Sequence, residues 1–318
     1  MAALTRVDGH EVRLINDAHF ARVRRQYHVD STVLDNFKFE QLDEAGGKGG
    51  DVLAFTPDRK FIVKSLNDSD QVTLENHSAI ICAQMVKSDS LLSKMFFHFQ
   101  IPDGDNAGFY FVMNNCLPPV TWAKLYDLKG CCDDKLLFND GQRINEVHKR
   151  CFSINTFWYG CDLDCCCNTD ARKQYFQGKR EALTCKFDVS PHDKQVIDRR
   201  ITNDVNFLVE QTVTMDYSLI LGITKCKVGE EGNLPKTLFA NQPYLVRSGE
   251  NEVSAFYFGI IDFLQEWTTT KKVCKFSRKV NAEWPLSLVS VFDFCCGWYT
   301  LDCTLHQVYI CSKTHIHG

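Results

Sequence analysis

The pattern of apolar and polar positions predicts helices and short strands in the same chain. Helical spacing occurs in three stretches, at residues 17–42, 72–98 and 191–214. In the first stretch, Phe20, Val23 and Tyr27 lie on one apolar face. Before the third, Ser190 is a suitable N-cap and Pro191 a suitable first helical residue. We therefore expect helices in all three places.

Strand-like runs separate these helices. They flank a turn at residues 56–59 and recur at residues 108–119, 122–128, 217–223 and 254–261. Residues 131–190 lack a regular pattern, and residues 225–252 are predicted to form a polar loop. The chain has 318 residues, which is enough for one large domain or two packed lobes.

Two aspartates stand at the ends of neighbouring strand-like runs. Asp216 directly precedes residues 217–223, and Asp262 directly follows residues 254–261. If these runs pair antiparallel, the start of the first lies beside the end of the second, so both carboxylates meet at one edge. Like charges at close range favour a cation between them, and oxygen ligands suit Mg²⁺. We therefore expect Asp216 and Asp262 to hold a metal–phosphate group.

A glycine-rich stretch, GGKGG at residues 46–50, precedes the first strand-like runs. Backbone N–H groups of such a loop approach phosphates closely, and Lys64 in the following hairpin supplies a positive charge. Alone, GGKGG is more often a flexible loop, and a strand lysine is more often a solvated edge residue. In this order, with two aspartates further along the chain, they favour phosphoryl transfer from ATP.

Composition restricts the partners and the compartment. A net charge of −4 argues against a nucleic-acid partner, so any basic surface must be local. The 16 cysteines include adjacent pairs such as Cys131-Cys132, and no apolar leader starts the chain. This predicts reduced thiols in the cytoplasm. The longest apolar run, residues 255–264, is too short to cross a membrane, which leaves the cytosol or a membrane surface.

A cysteine cluster at Cys161–Cys167 raises the question of a structural zinc ion. Tetrahedral zinc sites use two separated ligand pairs. No clear second pair stands at a suitable spacing, although Cys185 and His192 are possible recruits. Free or partly buried thiols are therefore the preferred interpretation.

Five motifs carry a resemblance to a known family. They are FIVKSL (61–66), FVMNNCLP (111–118), YDLKG (126–130), MDYSLILGI (215–223) and FGIIDFLQEWTTTKK (258–272). In sequence and in order they are similar to those of the phosphatidylinositol phosphate kinases. The resemblance implies an α+β, two-lobed fold of the SAICAR synthase-like type, distantly like protein kinases, with antiparallel sheets and flanking helices. It implies a catalytic domain at residues 10–305, with lobes at 10–118 and 119–305, and a tail at 306–318.

The resemblance also implies a site that uses ATP and Mg²⁺. Its catalytic residues are Lys64, Asp127, Lys129 and Asp216, with metal held by Asp216 and Asp262. Its ATP contacts are Gly46, Gly47, Lys48, Gly49, Gly50, Lys64, Met113, Asn114, Asn115 and Lys129. The acidic partner expected beside Lys64 is either Asp70 or Glu75.

The lipid side of the site is implied at Lys271, Lys272 and Cys274. In the family, paired lysines read the phosphoinositide and dock the enzyme on an anionic membrane, here at its cytoplasmic face. Solvated lysines are the alternative interpretation without the family. The residue matched by Cys274 helps to select the lipid, and cysteine matches neither five-kinases nor four-kinases. The linker and GGKGG favour a five-kinase.

Acidic residues depart from the family pattern. Asp133-Asp134 replace basic residues after the DLKG motif, and Asp51 follows the glycine loop. Acids near phosphate are expected to weaken nucleotide or substrate binding. The leading hypothesis is a kinase that converts phosphatidylinositol 4-phosphate to the 4,5-bisphosphate. The alternatives are a degenerate scaffold that binds lipid or partners, and a soluble inositol-polyphosphate kinase.

Overall fold

Two antiparallel sheets form the framework of the protein, as a computed structural model shows. The structure describes residues 4–35, 37–39, 43–44, 52–130, 134–145, 147, 150–151, 156–157, 169–240 and 242–266. Helices flank both sheets, and one continuous apolar core joins them. The α+β fold class expected from the sequence is confirmed.

The first sheet has seven strands and is built from the N-terminal part of the chain. They are β1 (Leu4–Val7), β2 (His10–Leu14), β3 (Asp43–Glu44), β4 (Val52–Phe55), β5 (Phe61–Leu66), β6 (Met95–Ile101) and β7 (Gly108–Asn114). Their order across the sheet is β1-β2-β6-β7-β5-β4-β3. Helices α1 (Asp17–Gln26) and α2 (Asp68–Met85) contact each other, α1 packs on β6, and α2 contacts β5.

The second sheet has six strands and carries the MDYSL and IID motifs. The remaining elements follow in chain order, and six of them form this sheet. They are β8 (Lys124–Leu128), β9 (Lys135–Asn139), β10 (Gln142–Arg143), β11 (Arg150–Cys151), β12 (Thr156–Phe157), α3 (Asp170–Thr184), α4 (Pro191–Phe207), β13 (Thr214–Met215), β14 (Ser218–Lys227), β15 (Tyr244–Arg247), β16 (Glu252–Ile261) and β17 (Gln265–Glu266). The order is β10-β9-β8-β14-β16-β15, and β11 with β12 and β13 with β17 form two small sheets.

The two sheets divide the described chain between β7 and β8. Residue 118 lies in this connection, and the division into two lobes there stays a prediction. The outer limits of the catalytic domain stay a prediction, because residues 267–318 lie outside the described part.

The first helix is shorter than its apolar spacing predicted. α1 ends at Gln26, and His28 takes a left-handed backbone with φ 54°. A 3-10 helix then covers Ser31–Leu34, where the Asp30 side chain accepts a hydrogen bond from Thr32 N. The prediction of helix up to residue 42 was wrong because this local aspartate turn competes with the helix.

The second predicted helix also ran too far. α2 begins after Asn67, whose side chain accepts from Asp70 N, and ends at Met85. The polar turn at residues 86–90 stops it, and Met95–Ile101 form a strand. Six of the seven residues of this strand are buried. Apolar and polar residues alternate from Phe97 to Ile101, which is a strand pattern, so the prediction of helix up to residue 98 was wrong.

The third helix begins as predicted but ends early. The Ser190 hydroxyl accepts from Asp193 N at 3.0 Å, and Pro191 occupies the first turn. α4 ends at Phe207 and passes into a π-helix at Leu208–Thr212. Val213, which falls inside the stretch predicted as helix, is 52% exposed and has φ 52°. The predicted polar loop at residues 225–252 is shorter too, because β14, β15 and β16 take up its ends and part of its middle.

Gly222 in β14 permits a close approach of Trp122. A Cβ atom at this position would lie 2.4 Å from Trp122 Cζ3. We expect Gly222→Ala to lower the free energy of unfolding by about 1–3 kcal/mol, since a buried indole must shift. Gly232→Ala is the control, because a Cβ atom there meets nothing within 4 Å. Urea unfolding measures both, and equal stability of the two variants would contradict this packing.

His98 in β6 is a buried base, and it makes stability depend on pH. Its Nε2 lies 2.5 Å from Gln71 Oε1, and burial lowers its pKa from 6.5 to about 4. The unfolded chain therefore binds a proton that the folded chain does not, and stability falls as the pH drops from 6.5 towards 4.

The slope from His98 approaches about 1.4 kcal/mol per pH unit inside that window. We expect His98→Leu to flatten the dependence of the free energy of unfolding on pH between about pH 6.5 and pH 5. Urea unfolding at several pH values measures it. Parallel curves for the wild type and the variant would show that His98 does not titrate as described.

Candidate active site

Asp216 and Asp262 leave the second sheet at the same edge. In the β14–β16 ladder, Ser218 pairs with Ile261. Beyond it, Met215 pairs with Gln265 in the small sheet of β13 and β17. The two aspartates lie between these two pairs, one on each strand. The antiparallel pairing expected from the sequence is therefore present, although β15 lies between the two strands along the chain.

The regular pairing of the two strands is interrupted at the aspartates. Between the two pairs, one strand contributes Asp216 and Tyr217, whereas the other contributes three residues, 262–264. Asp216 has φ 62° and Asp262 has φ 57°. The left-handed region is uncommon for residues other than glycine, and aspartate is among those that tolerate it. The backbone thus departs from ideal pairing at both carboxylates, a type of distortion that recurs beside active sites.

Lys64 joins the first sheet to this edge. Its Nζ lies 3.2 Å from Asp262 Oδ1, although 198 residues separate them. The Lys64 side chain is 19% exposed and that of Asp262 is 45% exposed. The pair is therefore open to solvent on the carboxylate side, where a cation or phosphate has access.

The Lys129 side chain binds the backbone carbonyl of Asp216. This residue follows β8, and its Nζ donates to the Asp216 carbonyl oxygen at 2.6 Å. Its own N–H donates to Asp134 Oδ1, also at 2.6 Å. Asp134 is only 6% exposed. The Asp134 carboxylate therefore fixes the backbone of Lys129, and its expected effect on phosphate binding stays a prediction.

Asp127 lies inside β8 instead of at the edge. It pairs with Ile220 on one side and with Lys135 on the other. Its Oδ1 is buried and has no hydrogen-bond partner among the described residues. The structure therefore does not bring Asp127 to the edge with Asp216, and its catalytic assignment stays a prediction.

The backbone N–H groups of the predicted adenine linker donate hydrogen bonds to other parts of the protein. Met113 and Asn114 end β7, and Asn114 N donates to Lys94 O at 3.0 Å. Asn115 N donates to Lys60 O at 2.7 Å. Because both N–H groups are used inside the protein, contact with adenine through these two groups is not supported. Contacts through other atoms of the linker stay a prediction.

Several predicted site residues lie outside the described part of the chain. They are the ATP-loop residues Gly46, Gly47, Lys48, Gly49 and Gly50, the lipid-side residues Lys271, Lys272 and Cys274, and the acidic residues Asp51 and Asp133. The Cys161–Cys167 cluster lies outside it as well. Their roles stay predictions from the sequence.

The sequence did not predict the residues that bond the end of β16, next to Asp262. The segment 90–94 runs beside the end of β16, and Asp204 of α4 accepts a hydrogen bond from Leu91 N. Burial raises the pKa of the Asp204 carboxyl and lowers that of Lys94 to about 7. One signal was present: Asp204 and Arg200 are opposite charges four residues apart, within the apolar stripe of α4.

The donor set fits a magnesium–phosphate group better than a resident metal ion. Among the described residues, no group of three or more histidine, cysteine or carboxylate side chains is placed to hold a metal. Mg²⁺ commonly uses one or two carboxylates, with waters and substrate phosphates as its other ligands. Asp262 is half-exposed, shares its edge with Asp216, and has a lysine beside it. These residues therefore fit Mg²⁺ bound together with a phosphate.

A family model described as Phosphatidylinositol-4-phosphate 5-Kinase matches residues 36–244, more than half of the chain. This chain belongs to that family. Membership makes it a lipid kinase, a phosphotransferase that acts on phosphoinositides. The match includes Lys64, Lys129 and Asp216 and ends before Asp262, whose position follows from the β14–β16 register. No curated protein matches the chain.

None of the helices in the described ranges combines the length and the apolar character needed to cross a membrane.

Proposed function

We propose that this protein transfers the γ-phosphoryl group of ATP to an inositol hydroxyl of a phosphatidylinositol monophosphate. Phosphatidylinositol 4-phosphate is the favoured substrate, and the 4,5-bisphosphate is the favoured product. The observation that carries the proposal is the edge at which Lys64 contacts Asp262 and Lys129 binds the Asp216 carbonyl. The family match supports the same chemistry.

The roles of the residues follow from charge and position. Lys64 and Lys129 bind the phosphates of ATP, and the loop Gly46–Gly50 covers them with backbone N–H groups. Asp262, with Asp216, holds Mg²⁺, which neutralises charge on the phosphates when it is bound. Asp216 orients the inositol hydroxyl and accepts its proton. Catalysis then depends mainly on positioning and on charge stabilisation.

Access to the lipid is proposed to come from the basic segment that contains Lys271 and Lys272. Each lysine near an anionic leaflet contributes about 1 kcal/mol to membrane binding. We propose that the protein acts as a peripheral protein at the cytoplasmic face of a membrane. Cys274 takes part in the choice of lipid.

Vesicles that carry one phosphatidylinositol monophosphate at a time test the proposed function. The product isomers are separated after incubation with ATP and Mg²⁺. We expect the 4-phosphate to be converted to the 4,5-bisphosphate. Turnover of soluble inositol phosphates without vesicles supports the polyphosphate-kinase alternative instead.

The second candidate is a scaffold of the same fold without catalysis. The acidic departures suggest it, and Asp134, which accepts a hydrogen bond from Lys129 N, is the one of them that lies among the described residues. Mg²⁺ and ATP are expected to raise the melting temperature of a kinase and to leave a scaffold unchanged. A missing shift favours the scaffold.

A further inference from the structure

On one side of β16, the neighbouring strand ends before β16 does, and other parts of the chain supply the hydrogen bonds there. β15 pairs with β16 only up to Phe256. Next to it, the Gln242 side-chain amide bonds both the N–H and the C=O of Phe258, at 3.0 and 2.7 Å. At Ile260, two residues before Asp262, a separate segment takes over.

This segment, Ser90–Lys94, bonds both backbone groups of Ile260. Ile260 N donates to Leu91 O at 2.7 Å, and Ser93 N donates to Ile260 O at 2.8 Å. It is the last pairing on this edge of β16 among the described residues before the backbone turns left-handed at Asp262. The direction in which β16 presents Asp262 therefore depends on where this segment lies.

The same segment also bonds the first sheet. Lys94 N donates to Asn114 Oδ1 at 2.6 Å, and Asn114 N donates to Lys94 O at 3.0 Å. Lys94 and Asn114 are both 1% exposed. Ser90–Lys94 thus connects the end of β7, where the linker begins, with the strand that presents Asp262.

Asp204, on α4, bonds this segment through its side chain. It is fully buried, and its carboxylate accepts from Leu91 N and from Gln84 Nε2, the latter at 2.7 Å. A carboxylate with two N–H donors makes charge-assisted bonds, which are stronger than neutral ones. Leu91 thereby bonds Asp204 through its N–H and Ile260 through its C=O.

We propose that Asp204 is a positioning residue for Asp262 and acts through the Ser90–Lys94 segment. The inference rests on the proposed function, because it assigns Asp204 a part in placing the carboxylate that holds Mg²⁺. Asp204 itself touches neither substrate nor metal. The alternative is that Asp204 only stabilises the fold and leaves the geometry at Asp262 unchanged.

Asp204→Asn disturbs the contact with little change in volume. One oxygen still accepts from Leu91 N, but the new amide group faces the Gln84 amide, so two donors oppose each other. Rotation of Gln84 would remove this clash only at the loss of the bond that Gln84 Oε1 accepts from Lys87 Nζ at 2.7 Å. The double variant Asp204→Asn with Gln84→Glu restores a donor to every acceptor and keeps one buried negative charge.

We expect Asp204→Asn to lower kcat by about tenfold or more, since small misplacements of catalytic groups carry large penalties. The Mg²⁺ concentration for half-maximal rate should rise, whereas KM for the lipid should stay within about twofold. Hydrogen exchange of the Leu91 and Ile260 amides should become faster. The double variant should recover most of the kcat and the wild-type Mg²⁺ dependence.

The control is Asp198→Asn, which removes the exposed carboxylate of the Lys194–Asp198 pair on the same helix. It should leave kcat and the Mg²⁺ dependence unchanged. All rates are compared well below each melting temperature. If Asp204→Asn does not fold, Gln84→Met replaces it, because this change removes one of the two donors and keeps the carboxylate.

The outcomes separate this inference from the proposed function. A wild type that transfers phosphate, with an Asp204 variant of lower melting temperature but wild-type kcat and Mg²⁺ dependence, overturns the positioning role alone. Failure of the double variant to recover activity, when its melting temperature does recover, overturns it as well. A folded wild type that neither binds ATP with Mg²⁺ nor transfers phosphate overturns the proposed function and, with it, this inference.

Discussion

Asp262→Asn is expected to lower phosphate transfer to lipid by about a hundredfold to a thousandfold. The amide is a poorer ligand for Mg²⁺, and the negative charge beside Lys64 Nζ, 3.2 Å away, is lost. Asp216→Asn should have an effect of at least this size, because it removes the group that accepts the hydroxyl proton. Initial rates on vesicles with phosphatidylinositol 4-phosphate measure both losses.

The fold should survive these changes. The Asp262 carboxylate is 45% exposed, and such ion pairs contribute about 1 kcal/mol or less to stability. Glu252→Gln is the matched control, since Glu252 pairs with Lys225 at 2.9 Å at the far end of the same β14–β16 hairpin. It should keep the wild-type rate. Full activity in both aspartate variants would show that the site lies elsewhere.

Lys64→Met is expected to remove the stabilisation of the protein by ATP with Mg²⁺. Lys64 is the positive charge that β5 brings to Asp262, and methionine keeps the length of the side chain without the charge. At a fixed nucleotide concentration, weaker binding gives a smaller rise in melting temperature. Thermal unfolding with and without ATP measures the shift, and phosphate transfer should fall with it.

Lys60→Met provides the comparison for Lys64. Lys60 lies in the turn just before β5, is 74% exposed in its side chain, and faces Asp58 at 3.5 Å. This variant should show the wild-type shift with ATP. A wild-type shift in Lys64→Met as well would mean that Lys64 does not contact the nucleotide.

The edge with the two aspartates was predictable because it depends on local order along the chain. Asp216 and Asp262 adjoin strand-like runs that the sequence presents as consecutive, and consecutive antiparallel strands commonly pair. β14 and β16 do pair, although β15 lies between them along the chain. The order of the glycine-rich stretch, Lys64 and the two aspartates also indicated Lys64, and the structure brings it to the same edge. Lys129 was also predicted at the site, although its bond to the Asp216 carbonyl was not.

The helix ends were harder to predict because local polar groups compete with apolar spacing. Asp30 caps a 3-10 turn inside a stretch predicted as helix. In β6, the apolar run at residues 95–97 fits a helix as well as a strand, whereas the alternation from Phe97 to Ile101 indicates the strand. Single-residue competition of this kind changes the boundaries of the elements and leaves their order along the chain intact.

The support behind Asp262 could not be predicted because it is formed by distant parts of the chain. Asp204 and Leu91 are separated by 113 residues, and their bond joins a side chain to a backbone N–H. Every residue except proline has a backbone N–H, so the residue type at position 91 does not indicate this bond. Only the charges of Arg200 and Asp204 on an otherwise apolar helix face indicated that this face meets polar groups.

The most direct test of the account follows the transfer of labelled γ-phosphate from ATP to lipid, with the wild type and Asp216→Asn side by side. Vesicles contain phosphatidylinositol 4-phosphate, and melting temperatures verify that both proteins are folded. We predict labelled 4,5-bisphosphate with the wild type and background label with the variant. Equal labelling by both proteins, or no label from the folded wild type, would contradict a phosphoryl-transfer site at the shared edge of Asp216 and Asp262.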